Sequence, residues 1–233
     1  MFKIIEKLHF KLIWALKKTR LDWFAILVMF TLKAGKIYAQ NSESGIAELW
    51  QELYVYKDFN QKWRGEILFN NLYSSQFGNY DWFLEGKTAF KINEILGVEA
   101  IYRQEYYDLN GSKGVEYRPM IRFSGKFKIR DWSIRNRHRI ELRMFEIGET
   151  RLRYRTDFKI KPNFNWTNLN LNPYVLEEIF INQNGFSRNR VYVGIEGKKW
   201  RFEPAIYMLL QSNIISDNWD NQPIVGIMMG FEL

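Results

Sequence analysis

From residue 46 to the end, the chain is a succession of segments in which apolar and polar residues alternate one for one. Successive Cβ atoms of an extended chain point to opposite sides, so a period of two marks strands with two differently solvated faces. No segment of convincing length repeats at the helical period, which leaves an all-β fold. The densest example is 132–146, read as WSIRNRHRIELRMFE. One face holds Ser133, Arg135, Arg137, Arg139, Glu141 and Arg143, and the other holds Trp132, Ile134, Asn136, His138, Ile140, Leu142 and Met144. So many arginines on one face fit either the wet side of a soluble sheet or the lumen of a membrane barrel.

Eleven such runs can be marked: 47–56, 63–73, 82–92, 98–106, 117–129, 132–146, 152–160, 174–181, 189–195, 200–210 and 223–233. Polar turns separate them, and 108–114 and 212–222 read as longer polar loops. An Asn-rich connection covers 163–172, and the adjacent Glu177 and Glu178 leave the facing of the next run open. Pro119 and Pro204 fall inside runs, where each removes a ladder hydrogen bond and a bulge is the usual accommodation. Bacterial single-chain membrane barrels have even strand numbers. An odd number therefore implies a run missed, near the Asn-rich segment or the mature N-terminus, or two runs that merge. The expected fold is an antiparallel transmembrane β-barrel of about 10–12 strands.

Charge is distributed unevenly. Residues 1–39 carry eight of the 34 Lys and Arg and two of the 26 acids, leaving 26 against 24 in the remainder. The net charge of +8 thus lies largely in a leader, and no nucleic-acid partner is expected. Lys3, Lys7, Lys11, Lys17, Lys18 and Arg20 precede an uncharged run of ten residues, 23–32, and Ile37, Tyr38 and Ala39 complete a small-residue cleavage pattern before Gln40. Ten apolar residues are about half the length of a bilayer-spanning helix. Residues 1–39 are read as a signal peptide and 40–233 as a single barrel domain. The absence of cysteine excludes disulfides, zinc–thiolate sites and cysteine nucleophiles.

Three features favour the bilayer over water. Trp63, Tyr73, Trp82, Tyr106, Tyr117, Trp132 and Trp200 stand near run ends, as interfacial girdles require. Short turns alternate with longer loops along much of the chain. The last run places Val225, Ile227, Met229, Phe231 and Leu233 on one face, which resembles the signal read by the outer-membrane barrel assembly machinery. A soluble lipocalin-like barrel or β-sandwich has the same alternation with its faces reversed.

The arginine run from Arg135 to Arg143, Pro173-Tyr174 followed by Glu178-Ile179-Phe180, and Arg188-Asn189-Arg190 leading to Gly194 carry a family resemblance. Over most of 46–233 the chain resembles the bacterial outer-membrane barrels of domain-of-unknown-function family 2490. The resemblance implies a β-barrel in the outer membrane of a Gram-negative bacterium, with outer-membrane lipid around it. It brings no activity and no catalytic residue.

In such a barrel Arg118, Arg122, Arg135, Arg137, Arg139, Glu141, Arg143, Arg153, Arg155, Glu178 and Arg190 form a lumenal charge network, with Arg122, Arg139 and Arg153 side by side if the register allows. Arginine forks suit carboxylate and phosphate, so one reading is a small porin-like pore or binding protein for anionic solutes. The other is a structural barrel whose interior the charges fill, because a narrow barrel has little free space. A lipid hydrolase would need a histidine and a serine near the lipid boundary. His138 lies on the apolar face beside Asn136, while Ser133 lies opposite, so no enzymatic role is expected. One histidine outside the leader and no cysteine leave no metal site, and no cofactor is implied.

Overall fold

The alternating runs become the wall of one closed barrel. The structure is a computed structural model that describes residues 48–109, 111–164, 167, 170–215 and 218–233. The leader, its cleavage pattern and Ala47 lie outside the described residues. Its strands are β1 (Glu48–Asp58), β2 (Trp63–Ser74), β3 (Gly78–Lys91), β4 (Leu96–Leu109), β5 (Ser112–Ile129), β6 (Trp132–Phe145), β7 (Arg151–Pro162), β8 (Leu171–Asn182), β9 (Gly185–Gly197), β10 (Phe202–Ile215) and β11 (Asn218–Glu232). Each pairs antiparallel with its sequence neighbours, and β1 closes the barrel by pairing with β11 in parallel. All eleven expected runs are strands, with ends shifted by a few residues.

The expected even number does not hold among the described residues. A meander reverses direction at every turn, so its first and last strands run the same way whenever the count is odd. An odd barrel must therefore close on a parallel seam, and here Leu53 faces Met229 across it. The long polar loops are a second correction. β4 and β5 continue to Leu109 and from Ser112, and β10 and β11 to Ile215 and from Asn218. Where both faces of a hairpin meet water, alternation disappears while backbone pairing persists, so polarity alone does not end a strand. A span needs only about 9–11 residues, and these strands reach 14 to 18. Connections are short at both ends of the barrel. The longest, between β7 and β8, lies at the end that carries the close of β11.

The prolines need no bulge. Pro119 pairs with Tyr102 on β4 but falls in a gap of the ladder to β6. Pro204 sits just before the β9–β10 ladder begins at Ala205. The two register shifts lie elsewhere, at Leu72/Tyr73 and Phe180/Ile181. The tight β5–β6 hairpin is made possible by Arg130, whose φ of 51° supplies the left-handed turn conformation.

The outer wall is apolar. Ile67, Leu84, Ile121, Phe123, Ile140, Val193, Ile206 and Met208 all stand exposed on it. Aromatic contacts gather toward its two ends: Trp63–Phe90 and Phe202–Phe231 at one, and Trp82–Tyr106, Phe69–Trp82 and Phe186–Trp219 at the other. The buried residues lie inside the wall, and charged groups are numerous among them. A soluble barrel would have the reverse arrangement, and the faces are those of an outer-membrane-type barrel.

Candidate functional site

The site is the lumen itself, a cavity of about 1360 Å³. Seventeen Lys and Arg line it against ten Asp and Glu, and Glu99, Glu141 and Asp157 pair with those arginines. Every residue of the expected network faces inward. Glu178 settles the facing of β8: it points in and is buried, whereas Glu177 points out.

Strand register arranges the network in rows. Glu99, Arg122, Arg139, Arg155 and Phe180 are successive cross-strand partners from β4 to β8. Three guanidinium groups therefore stand directly side by side. The next row holds Arg137, Asp157, Glu178 and Arg190, and the row on the other side holds Met120, Glu141 and Arg153. The expected third neighbour, Arg153, is thus replaced by Arg155, because the β6–β7 register sets Arg153 opposite Glu141. Like charges directly opposite destabilise a sheet, and the flanking carboxylates offset that cost.

Glu141 has no exposed surface and is bound by Arg153 at 2.5 Å, Arg139 at 3.5 Å and Arg155 at 3.8 Å. Asp157 receives Arg137 at 2.7 Å and Arg135 at 3.5 Å. Glu178 pairs with Arg155 and accepts Tyr192 at 3.1 Å and Arg190 at 3.5 Å. Arg122 pairs with Glu99. Compensation is still incomplete. The buried Nε groups of Arg122, Arg135 and Arg139 have no hydrogen-bond partner among the described residues. Arg118 and Arg143 form a separate group on Glu116, at 2.6 and 2.7 Å.

Phe180 is the residue whose role sequence reasoning missed. It is almost fully buried, and Arg155 and Arg190 stack over its ring at 4.8 Å, with Arg153 at 5.2 Å and Arg188 at 5.6 Å. The face of an aromatic ring attracts cations, so one phenylalanine organises four arginines. Trp50, Tyr174, Leu176, Tyr207, Leu209 and Ile224 form an apolar cluster inside the barrel, and Arg190 stacks on its Trp50 at 4.6 Å. Glu116 was missed because its strand begins before the alternation becomes clear. Phe180 had one usable signal, its period-two spacing from Tyr174 and Glu178.

At the rim beyond β9, Lys198 bonds Glu203 at 2.8 Å, the Tyr56 hydroxyl at 2.8 Å and Glu232 at 3.0 Å. Burial opposes its charge, but these three bonds together outweigh burial and raise its pKa above that of an ordinary lysine. His138 stands on the outer wall with Nδ1 2.5 Å from the Tyr154 hydroxyl, and Ser133 faces the lumen.

No curated protein matches the chain. Among solved structures, the chain is similar to one described as outer-membrane expressed OmpT of Vibrio cholerae, at 10% identity and a TM-score of 0.38, over 69% of this chain. The match spans 61% of the length of that protein. The model of the family described as "Protein of unknown function (DUF2490)" matches residues 47–213, which carry most of the barrel wall and the whole arginine row, and the chain belongs to that family.

Proposed function

We propose that this protein is a bacterial outer-membrane barrel that binds small anionic solutes in its lumen and passes them along the row Arg122, Arg139, Arg155. The observation that carries this reading is the incompleteness of that row. Its arginines are set directly opposite one another, and the buried Nε groups of Arg122 and Arg139 lack acceptors among the described residues. An oxyanion entering beside the row would supply the missing negative charge, and the guanidinium fork matches carboxylate and phosphate. The outer-membrane location is supported by the apolar wall, the aromatic bands and the apolar outward face of β11. That last strand is the proposed signal for the assembly machinery.

Conductance across planar bilayers under a salt gradient tests this reading. The wild-type barrel is expected to show a reversal potential of anion-selective sign, and Arg139→Met to lose most of the selectivity. No conductance and no retention of phosphate or small carboxylates overturns it. That outcome leaves the second reading, a barrel whose charges fill and order its interior. It is favoured by the carboxylate contacts of Arg122, Arg139 and Arg155 and by the four arginines packed over Phe180. We propose no catalytic role for His138, since its partner on the outer wall is a tyrosine.

A further inference from the structure

Polar side chains face outward at Gln51, Asn71 and Gln104, but among the described residues the largest outward polar patch lies on β6 to β9. On β6 to β9, Asn136, His138, Thr156, Glu177 and Asn189 all face outward within two adjacent rows of cross-strand partners. Apolar residues flank these rows on either side: Ile134, Ile160, Val175 and Val193 toward one rim, and Ile140, Leu142, Leu152 and Ile181 toward the other. The patch therefore lies within the apolar belt.

Two of these groups are satisfied locally. Asn136 donates to the Asp157 carbonyl at 3.0 Å, and Thr156 donates to the Arg137 carbonyl at 3.0 Å. The others keep one free valence each. Asn189 donates to one oxygen of Glu177 at 2.9 Å, which leaves the second carboxylate oxygen without a donor among the described residues. In the tautomer whose Nδ1 accepts from the Tyr154 hydroxyl, the ring proton of His138 sits on Nε2, for which the described residues supply no acceptor. An exposed carboxylate within an apolar belt is costly and calls for a partner.

The two free groups complement each other but cannot meet within one barrel. They lie two strands apart, about 10 Å at ordinary strand spacing. A symmetric pair of barrels inserted in the same orientation has its twofold axis parallel to the barrel axis, and such an interface presents the same patch on both sides. With the axis passing near Thr156 on β7, an outward N–H donor and an outward carboxylate exchange places between copies. We propose that the outer face of β6–β9 is a contact surface for a second copy of this chain, in which His138 of each copy donates to Glu177 of the other.

The chain contains no cysteine, so single cysteines report contacts cleanly. Thr156→Cys, near the proposed axis, is expected to form a covalent dimer of twice the mass when membranes carrying the folded protein are oxidised. Ile67→Cys, on the exposed face of β2, is expected to stay monomeric under the same treatment. Adding Glu177→Leu to Thr156→Cys removes the acceptor, and with it a charge from the lipid face, so the barrel stays folded. The adduct should then fall about tenfold, the change for roughly 1.4 kcal/mol of lost association. Heat-modifiable gel mobility establishes that each variant is folded. No adduct at Thr156, equal adduct at Ile67, an adduct of a different mass, or an adduct undiminished by Glu177→Leu overturns the proposal.

Discussion

Glu141 and Arg139 are neighbours on the lumenal face of β6, yet they should answer mutation differently. Glu141 is fully buried between three guanidinium groups. Glu141→Gln leaves them short of a counter-charge and is expected to cost about 3 kcal/mol. Arg139 holds Glu141 only at 3.5 Å and stands between two like charges. Arg139→Met should therefore stay within about 1 kcal/mol of neutral, because Glu141 keeps Arg153 and Arg155 as partners while the like-charge contacts with Arg122 and Arg155 are removed. Urea titration followed by heat-modifiable mobility checks both. A large loss of stability in Arg139→Met would show that the row is held for structure and not kept despite its cost. That these residues share one face was legible from alternation, and that this face is the lumen followed only with the aromatic positions and the apolar last run. Their partners were not legible, because a shift of one pair in the β6–β7 register exchanges Arg153 for Arg155 beside Arg139. The fourfold stacking on Phe180 was hidden for a related reason, since an aromatic residue on a polar face gives no sign of which neighbours it collects.

Between strands, four cross-strand pairs share one device: Tyr54 with Gly230, Tyr107 with Gly114, Tyr174 with Gly194, and Tyr207 with Gly226. Each tyrosine leans across the lumenal face of the glycine opposite. A Cβ at Gly226 would stand 2.0 Å from the Tyr207 ring, and one at Gly230 would stand 2.1 Å from that of Tyr54. This packing lets Tyr54 donate to Glu203 at 2.7 Å and Tyr207 donate to Glu52. Gly226→Ala is expected to cost roughly 1–3 kcal/mol through overpacking. The double variant Gly226→Ala with Tyr207→Ala should cost less than the sum of the two single changes, because the clash disappears with the ring. Additive free energies in the same urea titration would remove this account of the tyrosine–glycine pairs. At this scale the sequence marked each strand but not its ends. Alternation records the contrast between lipid and lumen, and it is lost where exposed polar residues such as Lys113 and Asp220 carry a hairpin past the apolar wall. On β8 the two adjacent glutamates hid the facing, which depends on how Phe180 and the arginines pack together.

For the whole barrel, the parallel seam is the feature that the count of alternating runs could have announced. Eleven runs were visible, and the inherited expectation of an even number obscured what an odd one requires. Cysteines at Leu53 and Met229, directly paired across the seam, should form an intramolecular disulfide that alters mobility before reduction. Cysteines at Leu53 and Val225, four residues off register, should not. The reverse pattern would show that the barrel closes another way. Odd closure also gives the molecule a polarity that even barrels lack. The first residue of β1, Glu48, stands at one rim and the last of β11, Glu232, at the other. In an even meander both ends of the wall open into the same compartment. Here a peptide joined at one end of the wall would be readable only from outside the bilayer and one at the other end only from within, so a pair of epitopes would report which way the barrel is inserted.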